Sequence, residues 1–138
     1  MYLLDTNVVS ELRRPKPHGA VVEWLRGLDD KDVSICAVTI GEIQAGIEKT
    51  RKQDVSRAQE LEAWLSEIER SRAILPMDAA AFRTWGRLMH GKAPTLTIDA
   101  MIAAVALTHG LTVATRNVRD FAGFGVKVVD PFAGLQAH

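Results

Sequence analysis

Short apolar runs alternate along this sequence with longer stretches whose apolar residues recur at helical spacing, and this alternation constrains the fold most. The apolar runs have the length of strands and occupy residues 2–4, 33–36, 73–76, 111–115 and 126–129. No tight-turn signal such as Asn-Gly joins two of them, so hairpins are not expected. Strands that alternate with helices form βα units, and we therefore predict an α/β fold with a central parallel sheet flanked by helices.

Helical periodicity is clearest in two consecutive segments near the middle of the chain. Ile40, Ile43 and Ile47 share one helical face, and a second amphipathic stripe follows between residues 55 and 71. Because the link between them is short and polar, we predict a helical hairpin around 38–71. Two interpretations of this hairpin remain open: it packs on the core only, or it forms a clip or a dimer surface. Other helices are predicted over residues 6–12, 18–28, 79–90 and 98–107, the last of them buried because it is apolar nearly all round.

Length and charge limit the range of functions. The 138 residues suit one domain with one core, spanning 1–138, and no repeat or linker divides the chain. Lys plus Arg and Asp plus Glu both number 17, so bulk charge predicts no polyanionic partner. A nucleic-acid surface would have to be a local patch.

The single cysteine, Cys36, excludes an intramolecular disulfide and a zinc finger, which fits a reducing compartment. Its apolar neighbours predict a buried core residue. No basic-then-apolar leader opens the chain, and the longest fully apolar run, residues 100–107, is too short to span a bilayer. We therefore expect a cytoplasmic protein.

Acidic and amide side chains stand where the predicted strands end or where the following helices begin. Asp5 follows the first strand, Glu42 lies early in the helix after the second, and Asp99 opens the buried helix before the fourth. Asn117 and Asp120 follow the fourth strand. Functional groups in parallel α/β sheets collect beyond the carboxyl ends of the strands, so these side chains are expected to converge. Taken alone, an Asp that ends a strand, as Asp5 does, is usually a turn former or a helix cap.

Each of the other positions also has an ordinary structural explanation. Thr39-x-x-Glu42 matches a capping box, in which Glu42 only closes the start of its own helix. Asp99 would favour the positive end of its helix dipole. Asn117 and Asp120 are common turn residues. Separately these explanations are at least as strong as a functional one.

Jointly, the carboxylates favour a metal site. Several carboxylates that converge without basic partners repel one another and raise each other's pKa. A hard divalent cation such as Mg²⁺ or Mn²⁺ removes this repulsion and binds oxygen ligands together with water. Such ions activate water and stabilise charge at phosphorus, which is the chemistry of many nucleases.

Four motifs taken together resemble a known family. They are the residues Leu3 to Asn7, the segment Thr39 to Ile43 around Glu42, Asp99 at the start of its apolar helix, and Ala114 to Phe121. This set, in this order and over nearly the whole chain, resembles PIN-domain ribonucleases, and most closely the VapC/FitB-like toxins of type II toxin–antitoxin modules. Each motif alone is weak evidence.

The resemblance implies a PIN-like fold with about five parallel strands and a Mg²⁺- or Mn²⁺-dependent endoribonuclease, in which a metal-activated water attacks the RNA phosphodiester in line. It implies that Asp5, Glu42 and Asp99 are the core catalytic and metal-binding acids. Asn117 is the fourth metal position, but it adds no charge, so Asp120 is the candidate for the missing catalytic acid. The implied supporting or substrate-binding residues are Thr6, Asn7, Thr115, Arg116 and Arg119.

The resemblance also implies a cognate antitoxin protein and a homodimer. The basic loop with Arg13, Arg14 and Lys16 either contacts RNA or is simply solvated. Two other functions remain: a PIN-fold RNA-processing nuclease without a toxin role, and a non-catalytic protein- or RNA-binding module on the same fold. A phosphoacceptor receiver domain is set aside, because it needs an acid pair after strand one and an Asp where this chain has Pro76.

Overall fold

The computed structural model describes residues 1–134 and confirms the predicted α/β architecture. Five strands form one sheet in the order β3-β2-β1-β4-β5, and every neighbouring pair is parallel. The strands are β1 (Tyr2–Leu4), β2 (Val33–Cys36), β3 (Ala73–Leu75), β4 (Thr112–Ala114) and β5 (Val128–Val129). The first strand is therefore central, and the residues that follow it lie in the middle of one sheet edge.

Helices connect the strands and cover both faces of the sheet. They are α1 (Thr6–Glu11), α2 (Gly19–Arg26), α3 (Ala37–Arg51), α4 (Val55–Ser71), α5 (Ala79–Met89), α6 (Thr97–His109) and α7 (Val118–Phe121). Short 3-10 turns occur at Asp30–Asp32, Pro94–Leu96, Ala122–Phe124 and Pro131–Ala133. Within residues 1–134, no helix combines the length and the apolar character needed to cross a membrane.

The central strand divides the core because its successive side chains point to opposite faces. Leu3 packs with α6, where Ile102 to Ala106 are completely buried, whereas Leu4 packs with Val8 and Val21 on the other face. Cys36 is fully buried, as predicted. Because helices cover both faces of the sheet, a binding or catalytic site is expected at the edge beyond the carboxyl ends of the strands.

The predicted helical hairpin is formed by α3 and α4, which pack along each other through Ile47, Ala58 and Leu65. Ile43 and Trp64 also contact the core beneath the hairpin. These contacts confirm that the hairpin packs on the core. The clip or dimer surface remains a prediction.

The predicted strands three, four and five are longer than those in the structure, and strand three is Ala73–Leu75 rather than 73–76. Strand four is shorter than 111–115, because the N–H of Leu111 donates to Ala106 O at 2.8 Å and closes α6. Strand five is reduced from 126–129 to Val128–Val129, the two residues that pair in register with Val113 and Ala114 of β4. Asn117 and Asp120, for which a turn is one structural explanation, lie at the N-cap and within the short helix α7.

Glu11, which the sequence prediction missed, is buried at the end of α1 with only 6% of its surface exposed. It accepts a hydrogen bond from the His18 N–H at 2.9 Å and pairs with Arg14 Nε at 3.4 Å. Its position three residues after buried Val8 places it on the inward face of the helix. Glu11 therefore fastens the basic loop to the body of the protein.

We expect Glu11→Ala to lower the free energy of unfolding by about 2 kcal/mol, because it leaves a backbone N–H unpaired and removes a charged hydrogen bond. Glu11→Gln should lose less, since its carbonyl oxygen still accepts from His18. Urea denaturation measures both. Glu23→Ala is the control, because the Glu23–Arg26 pair has the same spacing but is exposed on α2. Equal losses for Glu11→Ala and Glu23→Ala would contradict the assignment.

Candidate active site

Asp5 lies at the carboxyl end of the central strand and is 4% exposed. Its backbone N–H donates to Ala114 O at 2.9 Å, which continues the pairing with β4. One carboxylate oxygen, Oδ1, accepts from the Thr6 N–H at 2.8 Å, and the other, Oδ2, accepts from Thr115 Oγ1 at 2.7 Å. Asp5 does cap α1, as the structural explanation predicted, but it is also a buried carboxylate fixed in one orientation.

Asn7 and Thr115 join the first and fourth motifs. The Asn7 amide lies 3.4 Å from Asp5 Oδ2 and 3.5 Å from Thr115 Oγ1. Its oxygen accepts from the Arg116 N–H at 3.2 Å, and the Asn117 N–H donates to Thr115 Oγ1 at 2.9 Å. Backbone and side-chain bonds thus hold the ends of β1 and β4 together around Asp5.

Glu42 reaches the same edge from α3. The Thr6 hydroxyl donates to Glu42 Oε1 at 2.6 Å and lies 3.3 Å from Thr39 Oγ1. The capping-box explanation is wrong, because α3 begins at Ala37 and its N-cap position is Cys36 rather than Thr39. Glu42 therefore belongs to a contact between α1 and α3, beside the carboxylate of Asp5.

Asp99 is half-buried in the first turn of α6, as the helix-dipole explanation also requires. Over residues 1–134 its carboxylate makes no hydrogen bond or ion pair. Burial, followed by the negative charges of Asp5, Asp120 and Glu42, raises the pKa of Asp99 to about 6. Burial likewise raises the pKa of Asp5, with a smaller contribution from Asp120, against the hydrogen bonds of Thr115 and Thr6.

The negative charges of Asp5, Glu42 and Asp120 therefore all act on Asp99, and that of Asp120 also acts on Asp5. Asp120 is exposed on α7, whereas the Asn117 side chain makes no contact with the acids within the described chain. No Lys, Arg or His pairs with any of the four acids in residues 1–134. The structure brings the predicted acids together and leaves them without cationic partners.

This donor set fits a hard divalent cation, because all its ligands are carboxylate oxygens whose mutual repulsion a metal would relieve. Within residues 1–134, no three His, Cys, Asp or Glu side chains are gathered closely enough to ligate one ion directly. An ion held here would take much of its coordination from water, as Mg²⁺ commonly does.

The predicted cationic residues occupy different surroundings. Arg116 is exposed, and its guanidinium carbon lies 4.4 Å from the centroid of the Phe132 ring. Arg119 is exposed on α7. In the basic loop, Arg14 pairs with Glu11, whereas Arg13 lines a cavity of about 220 Å³ that also contacts Thr6, Glu42, Ile47 and Leu61.

Known proteins share this arrangement of strands and motifs. A family model described as PIN domain matches residues 2–126. The chain belongs to the PIN-domain family.

Curated relatives and solved structures agree with the assignment of this PIN domain. It is similar to toxin FitB of Neisseria gonorrhoeae, with 38% identity over 96% of this chain and 99% of that protein. It is also similar to VapC ribonuclease Y4jK of Sinorhizobium fredii, with 32% identity over 96% and 98% of the two chains.

Among solved structures, FitAcB from Neisseria gonorrhoeae matches with TM-score 0.83 and 35% identity over 96% of this chain and 99% of that chain. A toxin–antitoxin complex from Klebsiella pneumoniae matches with TM-score 0.69 and 26% identity over 95% and 98%. The matched family region ends at residue 126, so it includes Arg116 but not Phe132.

In the metal-free PIN domain, we expect Asp99→Asn to be more stable than the parent above about pH 7 and equally stable near pH 4. The pKa of Asp99 is above its ordinary value of 3.8, so the folded state binds this proton more tightly than the unfolded chain. The stabilisation that comes from protonated Asp99 is therefore present at low pH and is lost as pH rises through about 6. Once solvent screening is allowed for, the gain should be about 1 kcal/mol.

Thermal unfolding in EDTA over this pH range measures the effect. Glu69→Gln is the control, because Glu69 is exposed on α4 and its side chain makes no hydrogen bond or ion pair in residues 1–134. Parallel pH profiles for Asp99→Asn and the parent would show that Asp99 is not the destabilising charge.

Proposed function

We propose that this PIN domain is a divalent-metal-dependent endoribonuclease, the toxin of a toxin–antitoxin pair. The observation that supports the activity best is the convergence of four carboxylates, without a cationic partner in residues 1–134, at the open edge of the sheet. Repulsion of this kind is costly in a purely structural site. The ribonuclease and toxin names of similar proteins support the substrate and the biological role.

Asp5, Glu42 and Asp99 are the residues that would hold Mg²⁺ or Mn²⁺. Bound there, the ion would supply a Lewis acid that activates water and stabilises the charge developing at phosphorus. Thr6 and Thr115 orient the Asp5 carboxylate, and the Thr6 hydroxyl also fixes Glu42. No Ser, His or Cys nucleophile is required in this scheme.

Asp120 completes the acidic set in this proposal. Its charge acts on Asp5 and Asp99, although it lies on a different element from either. Asn117 stands three residues earlier and would offer at most a neutral carbonyl oxygen. Arg116 and Arg119 lie on the adjoining rim, where they would contact the RNA backbone.

An antitoxin is the proposed protein partner, and the toxin–antitoxin complex among the structural neighbours supports it. A homodimer that uses the α3–α4 hairpin and a cytoplasmic location are further parts of the proposal. The RNA-processing nuclease without a toxin role is the second candidate, because the same acidic site would serve both. A growth assay distinguishes the toxin from the RNA-processing nuclease, because a toxin arrests cell growth when it is produced without its antitoxin.

We expect Asp5→Asn to abolish Mg²⁺-dependent RNA cleavage and growth arrest while the fold remains intact. The amide oxygen can still accept from the Thr6 N–H, but the negative charge is lost. Activity should fall by at least about 100-fold, measured as cleavage of a labelled single-stranded RNA. Glu69→Gln should cleave like the parent, and circular dichroism checks folding. An Asp5→Asn protein as active as the parent would overturn the site assignment.

We further expect Asp120→Ala to weaken Mg²⁺ binding about tenfold and Asn117→Ala to change it little. The reason is charge: Asp120 contributes to the field at Asp5 and Asp99, and Asn117 does not. Calorimetric titration of each variant with MgCl₂ measures the affinities. A larger loss for Asn117→Ala would identify the amide, rather than Asp120, as the fourth ligand.

A further inference from the structure

The segment that follows β5 contains Phe132, whose ring contacts the side chain of Arg116. The Phe132 N–H donates to Asp130 Oδ1 at 2.9 Å, and Pro131 is buried, so this 3-10 turn is fixed locally. Phe132 is half-buried against the core cluster that contains Leu4 and Ala114. One part of the ring is thus anchored in the protein, and its face is available to Arg116.

Two cationic or aromatic groups contact the Phe132 ring. The Arg116 guanidinium carbon lies 4.4 Å from the ring centroid, within the range of a cation–π interaction. The His18 ring approaches edge-on at 5.2 Å and 70°. His18 is itself held by its N–H bond to Glu11 and by its Nδ1, which accepts from the Ala20 N–H at 3.2 Å.

The backbone of Arg116 is joined to the acidic site, but its side chain does not neutralise the acids. Its N–H bonds to Asn7, and the preceding residue, Thr115, donates to Asp5. Even so, the Arg116 guanidinium pairs with no carboxylate in the part of the chain that the structure describes. A cation–π contact occupies no N–H donor, so the donors of Arg116 remain available to a phosphate.

This arrangement has a physical reason. A long, unrestrained arginine beside four repelling carboxylates would be drawn onto them, which would block the metal site and use up the cation. A ring that binds the guanidinium at the rim keeps it away from the acids without cancelling its charge.

We propose that Phe132 is a positioning residue that holds Arg116 at the rim of the acidic site, where Arg116 binds a backbone phosphate of single-stranded RNA. The proposal rests on the proposed nuclease function, but its test separates the two. Cleavage by the parent protein in Mg²⁺ tests the nuclease. Binding of uncut RNA in the Asp5→Asn background tests Phe132.

The decisive comparison is between Phe132→Leu and Phe132→Tyr. Leucine keeps most of the apolar packing but has no π face, whereas tyrosine keeps the face and should restore binding. For binding to a short fluorescein-labelled single-stranded RNA of mixed sequence, we expect Phe132→Leu to raise Kd about fivefold, and we expect the same increase for Arg116→Ala. Each should reduce the slope of log Kd against log salt by about 0.7, the value for one phosphate contact on a single strand.

A double-mutant cycle isolates the coupling. If Phe132 acts through Arg116, Phe132→Leu should add nothing to the loss caused by Arg116→Ala. In the cleavage-competent protein, Phe132→Leu should raise KM while kcat stays within about twofold, since the acids are untouched. Phe82→Leu is the matched control, because Phe82 is an exposed aromatic on α5. Melting temperatures check folding, and Phe132→Met replaces the leucine variant if that variant does not fold.

Every other outcome contradicts the proposal. An unchanged Kd and salt slope for Phe132→Leu, with a loss for Arg116→Ala, would mean that Phe132 only packs. No loss for Arg116→Ala would remove the phosphate contact itself. Tighter binding by Phe132→Leu would show that the ring withholds Arg116 from RNA.

Discussion

Electrostatic repulsion at one edge of the sheet is the constraint on which the arrangement of this molecule depends. Asp5, Glu42, Asp99 and Asp120 come from four different elements and meet where no cation within residues 1–134 pairs with them. Burial is the largest cause of the raised pKa of Asp99, and the negative charges of Asp5, Asp120 and Glu42 raise it further. The fold must supply enough stabilisation elsewhere to keep these groups together, and its central strand, paired and buried on both faces, is where that stabilisation is concentrated.

Much of this could be predicted because the relevant signals are local. Strand-length apolar runs separated by helical periodicity determine a parallel sheet, and parallel strands bring Asp5, Glu42 and the residues after β4 to one edge. Asp99 stood out because a carboxylate opened a helix that was otherwise apolar. The family resemblance then turned a group of individually weak positions into one candidate site.

The features that could not be predicted from the sequence depend on contacts between residues that are distant along the chain. Thr39 and Glu42 have the spacing of a capping box, but the helix begins three residues earlier than that motif requires, and Glu42 bonds to Thr6 instead. Strand ends were overestimated, since a single bond from Leu111 to Ala106 decides where α6 stops. The contact between Arg116 and Phe132 joins two loops, and no local pattern marks it.

A protein with equal numbers of acidic and basic residues must also prevent its own arginines from occupying an acidic site. Most ion pairs among residues 1–134 join residues at i and i+3 within one helix. Arg14, in the loop after α1, is held by buried Glu11, and Arg116 lies over an aromatic ring. Arg14 and Arg116 each have a partner outside the acidic set, so neither cancels the negative charge that the proposed metal would neutralise.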